Sequence, residues 1–123
     1  MYTQSMAVHQ LTTLPVRRRT DPCCENVEKP SLTARQTAKL AVHLKAVGAP
    51  TRLRMLDLLV QQHDPICVCD ITPLFDQLQP TISHHLRLLR EAGLIDSEKR
   101  GLWAYYWATE TGRTTLTTVK QLA

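Results

Sequence analysis

The chain has 123 residues, 43% of them hydrophobic, and its 15 Lys and Arg against 11 Asp and Glu leave a net charge of +4. This is the size of one domain with an arm to spare, too short for a large enzyme with a separate cofactor domain, and its charge suits a polyanionic partner. No run of about eighteen apolar residues could span a membrane, and the N-terminus lacks the regions of a secretory signal. The expected location is therefore cytoplasmic, where the four cysteines remain thiols rather than a disulfide framework.

Residues 1–31 read as an arm. Pro15, Pro22 and Pro30 punctuate them, Arg17-Arg18-Arg19 interrupts them, and no apolar period persists, so a mobile segment is expected unless a ligand or partner holds it. The arm carries Cys23-Cys24. Residues 32–123 form the domain proper. Leu40, Leu44 and Val47 recur at helical spacing and Gly48 follows, which predicts a first helix over 32–47. Pro50 opens a second, with Leu53, Leu56, Leu59 and Val60 on one face.

After His63-Asp64-Pro65 comes the short β-branched run Ile66-Cys67-Val68-Cys69. Asp70 is the predicted cap of a third helix over 71–78, with Pro73 in its first turn. Leu78-Gln79-Pro80 makes a tight turn into a fourth helix, 80–92, with Ile82, Leu86 and Leu89 inward and Gly93 at its end. Leu94–Lys99 and Leu102–Trp107 flank Arg100-Gly101 as a hairpin, and Thr109–Ala123 closes with a helix. The order is that of a winged helix-turn-helix, mainly α with a β-hairpin wing.

Two constellations carry chemistry. The first is the pair of helices joined by a short turn, the second of which exposes Thr81, Ser83, His84 and Arg87, with Gln79 at the mouth of the turn. Short hydroxyls, an amide, an imidazole and a guanidinium suit base edges and phosphates. An ordinary helical hairpin with a solvated face is the plain alternative. The wing tip favours the DNA reading, because Lys99 and Arg100 can touch the backbone beside the groove. His85, next to the inward face, reads as a buried structural histidine.

The second constellation is Cys67-Val68-Cys69. In an extended segment, residues two apart point the same way, so both sulfurs share a face. A closed soft-metal site requires three or four thiolates, and the remaining cysteines are Cys23 and Cys24 on the arm. Buried small hydrophobes are the plain alternative. His9, His43 and His63 are scattered, so a site of nitrogen and oxygen ligands is not expected. The soft character points to arsenite, antimonite, cadmium, lead or mercury.

Together these segments resemble the metal-sensing repressors of the arsenic-repressor (ArsR/SmtB) type over about Leu40 to Trp107. The likeness rests on Lys45-Ala46-Val47-Gly48-Ala49-Pro50-Thr51-Arg52-Leu53, on Cys67-Val68-Cys69-Asp70, on Gln79-Pro80-Thr81-Ile82-Ser83-His84-His85-Leu86, on Leu89 to Ile95, and on the wing Arg100-Gly101 with Tyr105-Tyr106. It implies a homodimer packed through the first and last helices, an operator of double-stranded DNA with dyad symmetry, and release of that DNA when metal binds. The Cys67-Val68-Cys69-Asp70 segment resembles the inducer site of the arsenite and cadmium/lead branches. Where the best-known arsenite pattern has a third cysteine this chain has Thr72, so the resemblance implies a third ligand from Cys23 or Cys24. Leu78 stands where the family often has a capping Ser, and Ala49 where an Asp is common.

The reading is thus a repressor, not an enzyme, released from DNA by As(III) or Sb(III) bound to three thiolates, with no permanently bound cofactor. Cd(II) or Pb(II) held by all four thiolates is one alternative. Another is a redox switch in which oxidation joins an arm cysteine to Cys67 or Cys69. A thiol enzyme built on the Cys-x-Cys pair is weaker, since no motif sets a base beside a cysteine and the polar helix would have no role.

Overall fold

The structure, a computed structural model, describes Cys24 and residues 26–123; Cys23 and the rest of the arm lie outside the described residues. The first helix, α1, starts where its side chains close a capping box. Thr33 Oγ1 accepts from the Gln36 N–H (3.1 Å) while Gln36 Oε1 accepts from the Thr33 N–H (2.9 Å). That reciprocal pair fixes the start at Ala34, and α1 runs Ala34–Val47. Helix α2, Pro50–Gln61, begins on Pro50 without a side-chain cap from Ala49. Its Met55, Leu56 and Leu59 are buried in the core, with Ile82, Leu86 and Leu89 of α4 (Gln79–Glu91) against them.

The segment between α2 and α4 departs from expectation. Ile66–Cys67 is a strand, β1, and α3 covers only Val68–Ile71, followed by a 3-10 turn over Thr72–Leu74. The helix predicted over 71–78 with an Asp70 cap is not there, because Cys67 is the cap instead. With the helix starting three residues earlier, Pro73 falls beyond its first turn, where it has no N–H for the carbonyl of Cys69. α bonding stops, and the chain tightens.

Strands β2 (Ile95–Arg100) and β3 (Trp103–Ala108) form the hairpin, and β1 adds to the far side of β3, giving the antiparallel order β1-β3-β2. Arg100 pairs with Trp103, so the turn is Gly101-Leu102, one residue later than predicted. Gly101 has φ +66° and Leu102 stays at negative φ, the pattern of a type II′ hairpin turn, which places glycine first. On the inner side Ile66 pairs with Tyr106 and Cys67 with Tyr105.

Helix α5, Glu110–Lys120, is capped by Thr109 Oγ1, which accepts from Gly112 N–H at 3.0 Å, and Lys120 meets Asp57 of α2 at 2.9 Å. Gly112 is packed so tightly that an added Cβ would lie 1.9 Å from the Leu94 carbonyl oxygen. Gly112→Ala must therefore push α5 off the α4–β2 junction. We expect a loss of about 2–3 kcal/mol and a thermal midpoint lower by roughly 10 °C, read by circular dichroism; an unchanged midpoint would show that the junction yields freely.

Residues Leu32–Ala123 form one compact unit, but α1 is incompletely covered within it. Val47 is buried, whereas Leu40 and Leu44, which share its helical spacing, are 47% and 60% exposed. They line a groove with His43 and with Thr111, Thr115 and Val119 of α5. Among the described residues, no helix is long and apolar enough to cross a membrane.

Candidate functional site

Helix α4 presents the polar face read from the sequence. Gln79, Thr81, His84 and Arg87 are exposed and Ser83 is half-buried, while Ile82, Leu86 and Leu89 on the opposite side are fully buried. The contrast follows from helical spacing: three apolar residues at i, i+4 and i+7 hold the helix down and leave the others outside. Leu78 supplies no side-chain cap, and its carbonyl accepts from the Thr81 and Ile82 N–H groups at 3.0 Å each. The outer residues are organised among themselves. Arg87 donates to His84 Nδ1 (3.0 Å) and lies 3.6 Å from Glu91, so the guanidinium stands along the outer face rather than ranging freely.

His85 is half-buried, not buried. Arg52 of α2 donates to its Nδ1 at 3.3 Å. Burial, followed by the charges of Arg52 and His84, holds the imidazole below its ordinary pKa, which keeps it neutral and able to accept. Arg52 is a residue the sequence pattern did not single out.

At the wing, Lys99 and Arg100 are both exposed, but they are not equivalent. Arg100 meets Glu98 through both Nε (2.7 Å) and Nη2 (2.6 Å) and lies 4.7 Å above the Tyr105 ring. Much of its charge is therefore already engaged, whereas Lys99 stands on the other face of the strand. Leu102 at the tip is 91% exposed.

The two sulfurs of the Cys67-Val68-Cys69 segment do come together, though not because the segment is extended. Cys67 ends β1 and caps α3, and Cys69 lies in the first turn. A cap side chain turns back toward the amides of that turn. Cys67 Sγ accepts from Cys69 N–H at 3.3 Å, and the sulfurs are joined as a disulfide with Cα atoms 5.1 Å apart. The sequence reading had all four cysteines as thiols and any disulfide running to the arm; the bridge found is within the pair. Cys67 is 3% exposed and Cys69 is at the surface. Cys24 is exposed and Cys23 is outside the described residues. Among the described residues no group of three or more His, Cys, Asp or Glu is assembled as a metal site.

What lies behind the cysteines matters as much. Val68 and Ile71 of α3 are buried in the same core cluster as Ile82 and Leu86 of α4. The cysteines thus sit at the head of a short helix whose inner side enters the same core as the inner face of the polar helix.

A helix, a turn, a second helix with a polar outer face and a hairpin beside it define a winged helix-turn-helix DNA-binding protein. Residues 49–97 match the family described as bacterial regulatory protein, arsR family. The cadmium resistance transcriptional regulatory protein CadC of Listeria innocua is 35% identical over 82 residues, 67% of this chain and 68% of that one. The arsenical resistance operon repressor of Escherichia coli is 45% identical over 62 residues, 50% of this chain and about half (52%) of that one. Among solved structures, the homodimeric winged helix-turn-helix DNA-binding domain from Mycobacterium bovis superposes with a TM-score of 0.63 at 25% identity, covering 78% of this chain and 87% of that one. The chain belongs to the ArsR family of bacterial transcriptional regulators.

Proposed function

We propose that the protein is a cytoplasmic, non-enzymatic repressor that binds operator DNA as a homodimer and is released when As(III) or Sb(III) binds its cysteine thiolates. The observation that carries the reading is the pairing of Cys67 and Cys69 sulfurs at the head of a short helix whose Val68 and Ile71 share a core with the inner face of α4. Once reduced, the pair offers two soft ligands side by side, with the Cys69 N–H directed at Cys67 Sγ. Arsenite takes three sulfurs in a pyramid. With Thr72 in the following turn, the third comes from Cys23 or Cys24 of the arm, residues 1–31. Drawing the sulfurs around the metalloid shifts α3 and, through the shared core, α4. Gln79, Thr81, Ser83, His84 and Arg87 would read the groove, with Lys99 and Arg100 on the flanking phosphates. The exposed Leu40 and Leu44 of α1, beside α5, supply the apolar surface for the partner subunit, and the homodimeric neighbour supports a dimer.

Two observations favour variants of the same design. The relative named as a cadmium resistance regulator supports Cd(II) or Pb(II) held by all four thiolates, and the Cys67–Cys69 bridge supports release by oxidation. One experiment separates them. A labelled duplex selected by the full chain from a random-sequence pool is bound, and arsenite, antimonite, cadmium, lead and peroxide are added separately. Release by arsenite at the lowest concentration is expected. Release by cadmium or peroxide alone would overturn the choice of inducer, and failure to select any duplex would overturn the repressor itself. With Cys23→Ser/Cys24→Ser in the intact chain, arsenite should no longer release the duplex. A wild-type response from that double variant would exclude the arm as a source of ligands.

A further inference from the structure

One guanidinium ties three helices together. Arg52 of α2 donates through Nε to the Ala46 carbonyl at 2.6 Å and through Nη2 to the Lys45 carbonyl at 3.3 Å, and through Nη1 to His85 Nδ1 of α4 at 3.3 Å. The two carbonyls belong to the last turn of α1, where no intrahelical N–H reaches them. The proton arrangement has a single solution: a guanidinium only donates, so His85 Nδ1 must accept, and its proton sits on Nε2. A planar fork reaches three acceptors in different directions; a lysine ammonium on a flexible stem does not.

The position of this contact is what gives it a role. α1 carries the exposed Leu40 and Leu44 of the surface assigned above to the partner subunit, and α4 carries the face assigned to DNA. In a dimeric reader the two reading helices must meet half-sites about one helical turn apart. Their angle to the dimer frame therefore decides the fit. We propose that Arg52 and His85 form a strut that fixes the angle of α4 against the end of α1, so that Arg52 positions the reading helix without touching DNA. The inference rests on the reading of α4 as the DNA-binding helix. His85 sits beneath the outer face, and Arg52 holds it from the inner side.

The strut requires a neutral His85. A proton on Nδ1 would turn the acceptor into a second cation facing a permanent one. The groups that face the pair are Arg52 from α2, His84 on α4, and Lys45 of α1 and Glu91 of α4, which line the same groove as Arg52. Since His85 is held below its ordinary value, the strut is intact at neutral pH, and operator affinity falls as pH drops through that lowered value, below about 6.5.

The test uses the full chain and the selected duplex. Arg52→Met and His85→Leu, each checked for helicity and for dimerisation by sedimentation, should weaken binding by about tenfold or more. The double variant should be no weaker than Arg52→Met alone, because the contact that His85→Leu removes is one that Arg52→Met has already removed. The slope of affinity against salt should stay unchanged, since no phosphate contact is lost. His85→Asn, which keeps an acceptor near the Nδ1 position, should bind like wild type at neutral pH and lose the extra weakening in acid. Wild-type binding by Arg52→Met, additive losses in the double variant, or a salt slope reduced by about one unit would each overturn the strut. If the first two variants fail to fold, His85→Asn still decides: an acid loss equal to that of wild type overturns it. Arg87→Ala distinguishes the underlying reading. Should Arg87→Ala also bind normally, α4 is not the DNA helix; should it bind weakly while the Arg52 and His85 variants do not, only the strut is wrong.

Discussion

Cys67→Ser and Cys69→Ser proteins are expected to hold operator DNA as tightly as wild type and to keep holding it when arsenite is added. Serine keeps the cap at position 67 and removes both the softness of the sulfur and the bridge to Cys69. Its hydroxyl can accept the Cys69 N–H that Cys67 Sγ now accepts at 3.3 Å, and serine is a favoured cap. The core contacts of Val68 and Ile71 are left in place. What disappears is a soft ligand. Loss of a mere hydrogen-bond partner of a metal ligand costs about 10–100-fold in affinity, and loss of the ligand itself costs more, so release should fail over the whole range that frees wild type. Fluorescence anisotropy of the labelled duplex during an arsenite titration reads the result directly. Loss of DNA binding before any inducer is added would mean that the cysteines serve the core instead. The coupling also runs backwards: DNA-bound protein must hold the metalloid more weakly than free protein by the same factor that the metalloid weakens DNA binding.

Arg87→Ala should produce the largest loss in DNA affinity of any single surface change. The Arg87 side chain is 64% exposed and makes only the exposed contacts to His84 and Glu91, so its removal costs the fold little. A guanidinium at a base edge contributes about 1–3 kcal/mol, roughly five- to 150-fold in Kd. His84→Ala should also weaken binding, partly by releasing Arg87 from its 3.0 Å contact. Lys99→Ala acts differently. It should lower the salt slope by about one unit with less effect on sequence preference, whereas Arg100, engaged by Glu98 and Tyr105, should change the slope less. If Arg87, His84 and Lys99 variants all bind as wild type in folded protein, the DNA face lies elsewhere.

The surface and the element order were legible in the residues. Helical spacing alone put Ile82, Leu86 and Leu89 inside and Thr81, His84 and Arg87 outside, because an amphipathic helix has only one way to lie on a core. Gly93 and Pro50 marked helix boundaries through backbone chemistry that acts within a few residues. The hairpin was found for the same reason and missed by one residue, since Arg100-Gly101 and Gly101-Leu102 both place glycine in the turn. The choice between them lies in the pairing of Ile95 with Ala108 and its successors along the ladder.

Contacts between distant segments were not legible. Periodicity says that Leu40 and Leu44 seek apolar company but not whether it comes from their own chain; the fold leaves them exposed, and the answer passes to another surface. An extended segment predicts that the Cys67 and Cys69 sulfurs share a face, not that they bond to each other; the bridge forms at a cap, where β1 joins the edge of β3 and α3 begins at Val68. Gly112 looks like a defect in a weak helix until Leu94 is brought against it. Arg52 is one charged residue among several in α2 until folding places two carbonyls of α1 and a ring nitrogen of α4 around its guanidinium. Local spacing is written in the chain because its physics spans a few residues; these contacts join positions 6 to 40 residues apart, and only the packing of the helices and sheet decides them.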